Sequence, residues 1–275
     1  MHRKNSNSTI LNFIMSCSLL MLPTVYEANA QEDTSAAQLV STHAEALVTV
    51  KYVLSINMGQ RMGGQEQEQE KELTCSMISA DGLVVCAYST LTGSIELLNR
   101  LSGNALSATT KDFKILIGSS ADGFDAEIVA RDTELDLVWI RMTDPGDQSF
   151  AHLDFANSAE AGIGDPIVII RRAGSTFGRT PVAIQTRIGG ISSKPRKLYF
   201  PMMPSMTSLG LPVFTADGRI IGLSVTQFPE VTGDFNAGMS MMGADMTNLQ
   251  ESILGLVLPA QDIAKATERA LEEGR

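Results

Sequence analysis

Imidazole and thiolate are the side chains best suited to acid–base, nucleophilic and metal chemistry near neutral pH. The 275-residue sequence holds three histidines and three cysteines. His2 and Cys17 lie in an N-terminal stretch that reads as a cleaved leader, which leaves His43, His152, Cys75 and Cys86. These four do not form a cluster with metal-ligand spacing, so no metal is expected. No Gly-rich turn joins a strand to a helix in a phosphate-cradling pattern, so no cofactor is expected.

Cys75 and Cys86 flank a turn signal at Asp81-Gly82. With Asp81 and Gly82 as the central turn residues, Met77 lies opposite Cys86 and Cys75 is its diagonal neighbour on the same face. That is a long span for a disulfide, which wants Cα atoms within about 7 Å. An even cysteine count in an oxidising compartment favours pairing. A disulfide and two buried free thiols both stay open.

The elements that must position such groups are mostly short strands. Ser205 to Val225 holds a tight loop (Thr207 to Pro212), an apolar run from Val213, the turn Asp217-Gly218, and a second strand through Ile220, Ile221, Leu223 and Val225. Leu47 to Ile56 is apolar and β-branched and predicts a strand. Asn57 to Lys71, rich in Gly, Gln and Glu, predicts an exposed, mobile loop. Phe113 to Ile117 and Ala126 to Ala130 predict strands around Asp122-Gly123. Val182 to Ile191 predicts a strand pair. A polar, Ala-rich stretch from Thr34 to Ala46 predicts a short helix. Ala260 to Glu273 predicts another, with Ile263, Ala266, Ala270 and Leu271 on one face. Pro145-Gly146 marks the best domain boundary. Regular turns between short strands point to an all-β barrel or sandwich.

The N-terminus carries Arg3 and Lys4, an apolar run from Ile10 to Leu22, and Ala28-Asn29-Ala30 before Gln31. This is the layout of a secretory signal peptide. The run is shorter than the roughly 20 residues of a spanning helix, so no membrane span is expected after its removal. Losing Arg3, Lys4 and Glu27 takes 21 basic and 31 acidic residues to 19 and 30, a net charge of −11. Such a balance argues against nucleic acid and anionic lipid as partners.

Three segments resemble HtrA-type, trypsin-like serine proteases. Ser79-Ala80-Asp81-Gly82 matches the family's Ser-Ala-Asp-Gly hairpin, and counting on from Gly82 places Ser89 where the family has its general-base histidine. Arg131-Asp132-Thr133-Glu134-Leu135-Asp136-Leu137 is similar to its Arg-Asp-x-x-x-Asp-Leu element, with Asp136 at the position of the orienting acid. Thr207-Ser208-Leu209-Gly210-Leu211-Pro212-Val213 resembles its Gly-Asn-Ser-Gly-Gly-Pro-Leu nucleophile loop, with Leu209 at the serine and Thr207, Ser208 and Gly210 in the oxyanion loop. His43 and His152 match no catalytic position and read as surface residues. Asp136, with no histidine to orient, reads as a loop carboxylate that caps backbone amides. Leu209 and Leu211 are expected to fill the cleft.

The resemblance implies a double β-barrel: signal peptide 1–30, N-terminal segment 31–46, six-stranded barrels at 47–144 and 149–258, and a C-terminal helix at 259–275. It implies an exported, periplasmic or secreted pseudoprotease that lacks the catalytic Ser and His and binds an extended peptide or protein partner. The alternatives are an active serine endopeptidase with a non-standard triad, and a structural subunit that joins active relatives, for which the family's trimers are the precedent. The Met-rich stretch from Pro229 to Glu251 is placed near the specificity pocket by the same resemblance.

Overall fold

Six antiparallel strands from each half of the chain curl into a closed barrel. The computed structural model describes residues 36–57, 66–92, 107–202, 209–227 and 255–273. The leader, Thr207, Ser208 and the Met-rich stretch lie outside them. The N-terminal barrel is β1 (Leu47–Asn57), β2 (Glu66–Met77), β3 (Leu83–Ala87), β4 (Ser107–Leu116), β5 (Gly123–Asp132) and β6 (Leu137–Met142), in the order β1-β2-β3-β6-β5-β4. The C-terminal barrel is β7 (Pro166–Arg172), β8 (Pro181–Ser192), β9 (Leu198–Pro201), β10 (Pro212–Thr215), β11 (Ile220–Val225) and β12 (Leu256–Pro259), in the order β10-β11-β12-β9-β8-β7. Helix α1 (Ala36–His43) precedes the first barrel, α2 (Tyr88–Leu91) follows β3, and α3 (Ala260–Glu273) follows β12. The architecture is the expected trypsin-like double barrel with a C-terminal helix. No described helix is long and apolar enough to cross a membrane.

Alternation along each strand sends one set of side chains inward, and closing the sheet removes most edges. Val50, Tyr52, Phe113, Ile115 and Ile140 fill the first barrel. Ile169, Tyr199, Val213, Ile221 and Val257 fill the second. A third cluster, with Trp139, Phe214, Leu223, Leu258 and Ile263, joins the outer faces of both barrels to α1 and α3. The predicted apolar face of α3 is the one that docks: Ile263, Ala266 and Ala270 are buried and Leu271 packs against them. Gly222 in β11 has no room for a side chain, since a Cβ there would lie 2.0 Å from the Leu258 carbonyl oxygen.

Four expectations change. Glu66–Lys71 form the first half of β2, paired residue by residue with β1. Their glutamates recur every second residue, which is the period of a strand. Val182 to Ile191 lies within one strand, β8, because Gly189-Gly190 accompany a bulge and not a turn. The Ser79–Gly82 turn has Ala80 and Asp81 at its centre, with Gly82 N–H bonded to the Ser79 carbonyl and Ile78 N–H to that of Leu83. Ser76 therefore pairs with Val85, and Cys75 faces Cys86 directly. Their Cα atoms are 4.9 Å apart and the sulfurs are bonded.

His43 is the fourth. It is half-buried and stacks on Phe214 with ring centroids 4.5 Å apart, while Nε2 lies 3.1 Å from the Gly218 carbonyl oxygen and is placed to donate to it. The turn of the β10–β11 hairpin, where Gly218 has φ +88°, thereby receives the end of α1. Burial lowers the His43 pKa below 6.5, against a smaller upward pull from the Gly218 bond. The folded chain then binds fewer protons than the unfolded one as pH falls through 6.5. Stability is complete above that value and is lost toward the lower folded pKa. Thermal unfolding should show the midpoint dropping between about pH 7 and pH 5 in the native chain, and a shallower drop in His43→Gln. Equal slopes in the two proteins would remove this assignment.

Candidate functional site

Two short pieces of chain meet where the barrels adjoin. The first is α2, which begins directly after β3. Tyr52, in the core of the first barrel, holds its far end by donating to the carbonyls of Leu91 (2.9 Å) and Thr90 (3.2 Å). Burial pushes the Tyr52 phenol up to about 12, so it stays a donor at any working pH. The near end is held by the Tyr88 N–H, which donates to the Asp136 carbonyl at 3.0 Å. Arg131 lies over the Tyr88 ring at 5.9 Å.

Asp136 is the other piece. It closes the β5–β6 turn in the left-handed region, φ +58°, and is 3% exposed. Aspartate tolerates that backbone better than most residues. Its Oδ1 accepts the Ser89 N–H at 2.6 Å. Its Oδ2 accepts the Ser89 hydroxyl at 2.9 Å and the Thr226 N–H at 2.7 Å. Thr226 follows β11 of the second barrel. One carboxylate thus caps amides from both barrels and holds a serine hydroxyl as well. The capped amides come from α2 and the end of β11, elements distant in sequence.

Gly210 reaches the same place from the second barrel. Its φ is +77°, its N–H donates to the Ser224 carbonyl at 2.6 Å, and an added Cβ would come within 3.1 Å of the Ala87 nitrogen. The Leu209–Gly210 corner therefore abuts the end of β3, two residues before Ser89. Leu209 is half-buried. Leu211 does not fill a cleft: it is 3% exposed and packs in the core of the second barrel. Pairing with β11 through the Ser224 N–H, 2.9 Å from the Leu211 carbonyl, turns that side chain inward. The two remaining oxyanion-loop residues, Thr207 and Ser208, fall outside the described residues.

His152 is exposed, with Nδ1 3.1 Å from its near neighbour's carbonyl, Phe150. Among the described residues no three His, Cys, Asp or Glu are grouped to hold a metal. Thr226 is the site residue that sequence reasoning missed. Its role is carried by a backbone N–H, which no side-chain pattern marks, and its buried hydroxyl has no partner among the described residues.

The model of the trypsin-like peptidase domain family matches residues 73–223, more than half of the chain, and takes in Ser89, Asp136 and Gly210 but not Tyr52, Ser224 or Thr226. The chain belongs to the trypsin-like peptidase domain family. Among solved structures this trypsin-like domain is similar to the HtrA-type protease AlgW with a decapeptide, at 15% identity and a TM-score of 0.56, over 88% of this chain and 68% of that one. It is also similar to the MamO protease domain from Magnetospirillum magneticum in its apo form, at 14% identity and a TM-score of 0.47, over 82% and 97%. No curated protein sequence matches it. The fold is that of an HtrA-type protease domain.

Asp136 carries the connection between the barrels in this region. Asp136→Ala should destabilise the domain by about 3 kcal/mol, because the buried Thr226 N–H and the half-buried Ser89 N–H lose their acceptor. Ser89→Ala, which removes one charge-assisted bond and keeps both amides capped, should cost about 1–2 kcal/mol. Urea denaturation of the two variants against the native chain checks the order, and a costlier Ser89→Ala would contradict it.

Proposed function

We propose that this chain is an exported, non-catalytic member of the trypsin-like family that binds an extended peptide or protein segment. The observation that carries this reading is the Ser89–Asp136 pair. A trypsin-like acid orients an imidazole, and the imidazole takes the proton of the nucleophile. Here the carboxylate receives a hydroxyl, whose pKa is far too high for a general base near neutral pH. The corner before Gly210 carries Leu209, a hydrocarbon with no nucleophilic atom. At these two matched positions neither chemical role has a side chain able to fill it.

Binding does not need those roles. An extended peptide can add to a strand edge through backbone hydrogen bonds, with side-chain pockets giving preference. The likeness to an HtrA-type protease solved with a decapeptide supports a peptide as the ligand class. The activity test is direct. A fluorophosphonate should not label the chain, peptidase activity should stay at background, and calorimetry against an extended-peptide library should give binding. Leu209→Ser alone should restore nothing, because Ser89 cannot accept its proton. In an intact serine protease such as subtilisin, losing the serine or the histidine alone already costs about 10⁶ in kcat. Stoichiometric labelling of the native chain would instead establish an active endopeptidase with a non-standard triad.

Export rests on the Ala28-Asn29-Ala30 pattern before Gln31. N-terminal sequencing of the exported protein should begin at Gln31 or a near neighbour. Intact Met1 on membrane-associated protein would refute it.

A further inference from the structure

β2 is paired with β1 from Glu66 to Ser76, and on its other side it is paired only at its C-terminal end. From Asn57 opposite Glu66 to Leu47 opposite Ser76, it is matched by β1. On its other side β3 pairs with Ser76 and Met77, and Cys86 is bonded to Cys75. Beyond that point β3 turns away into α2 at Tyr88. From Glu66 to Leu73 the outward N–H and C=O groups of β2 thus have no backbone partner among the described residues. A strand edge of this length is a template for another strand.

The side chains along this edge have a single sign on one face. Glu68, Glu70 and Glu72 alternate there and each meets one cation from its own molecule: Lys111 at 2.6 Å, Lys51 at 3.0 Å and Arg179 at 2.6 Å. Lys51 lies on β1 and Lys111 on β4, the side away from the open edge. The carboxylates of Glu68 and Glu70 stay 51% and 70% exposed. The far edge of the same sheet, on β4, offers less. There Asp112, at φ +56°, interrupts the extended backbone.

Charge decides which strand fits. A second copy adding antiparallel at β2, with faces matched, would set Glu68, Glu70 and Glu72 of one chain against those of the other, and like charges directly opposite are destabilising. The net charge of −10 adds to that repulsion. A strand with cations at alternate positions meets the opposite condition, and each cation completes a glutamate already held in place. We propose that the open edge of β2 is a docking surface that takes an extended basic segment of a partner protein as an added strand, with Lys or Arg at alternate positions facing Glu68, Glu70 and Glu72.

This surface is separate from the Ser89–Asp136 region, and its test is built to tell the two apart. The probe is a peptide of about ten residues alternating Lys and Thr, with a Glu–Thr peptide of equal length as control, titrated into the full chain. Amide hydrogen exchange then maps the contact. The Lys–Thr peptide should bind, slow exchange over residues 67–73, and weaken as ionic strength rises from about 0.05 to 0.5 M. The double variant E68Q/E70Q, which keeps side-chain size, should lose affinity on the order of tenfold. Three results would overturn the proposal. One is equal binding of the two peptides or none. Another is protection confined to residues 87–89 and 209–226, which would assign the peptide to the barrel seam alone. The last is a dimer of the free chain in solution that protects residues 67–73, which would give the edge to a second copy.

Discussion

One buried carboxylate ties the two halves of this domain together where function is sought. Asp136 accepts a hydroxyl and an amide from α2 of the first barrel and an amide from the end of β11 in the second. Burying a charge is unfavourable unless hydrogen bonds replace its water, and three donors among the described residues do so here. The left-handed backbone at Asp136 is held against its own preference by that network. It fixes the start of α2 and the direction of the chain after β11.

A second polar contact joins the barrels from another side. Arg172, 8% exposed, donates to the carbonyls of Leu47 (2.5 Å), Ala44 (2.5 Å) and Arg179 (3.0 Å). Arg179 in turn reaches Ser120 and Glu72 of the first barrel. Guanidinium groups suit this work because their donors form a fixed fork and keep their charge when buried. Apolar packing through Trp139 and Phe214 supplies the area of the contact between barrels, and these two polar nodes fix its register.

β1, the β10–β11 hairpin and the paired stretches of β4 and β5 were legible in the sequence because alternation and Asp-Gly turns have a local cause. The limits of α3 were legible for the same reason: the apolar period runs from Ile263 to Leu271, and Gly274 follows. Tertiary pairing hid other features. Glu66–Lys71 carry a composition poor for strands, and only the partner β1 makes them one. The Cys75–Cys86 bond depended on whether the intervening turn centres on Ala80-Asp81 or Asp81-Gly82, a one-residue difference that reverses which side chains face each other. His43 looked like a surface residue because nothing near it in sequence announces Phe214, which lies in another barrel. In the candidate site, Ser89 and Asp136 were singled out by the resemblance of their segments to the HtrA-type family, whereas the Thr226 amide belongs to the backbone and leaves no mark in the residue types.

Trp139 gives the seam an optical property. It is the single tryptophan of the chain, 1% exposed on β6, and its indole N–H donates to the Thr267 hydroxyl of α3 at 2.9 Å. That hydroxyl in turn donates to the Ile263 carbonyl one helical turn back. The indole emission of the whole protein therefore comes from one place, the contact between the first barrel and the C-terminal helix. When α3 lifts away, that ring gains water and loses its partner together. A red shift in this chain reads the undocking of one helix, and tyrosine and phenylalanine elsewhere add no competing signal in that wavelength range.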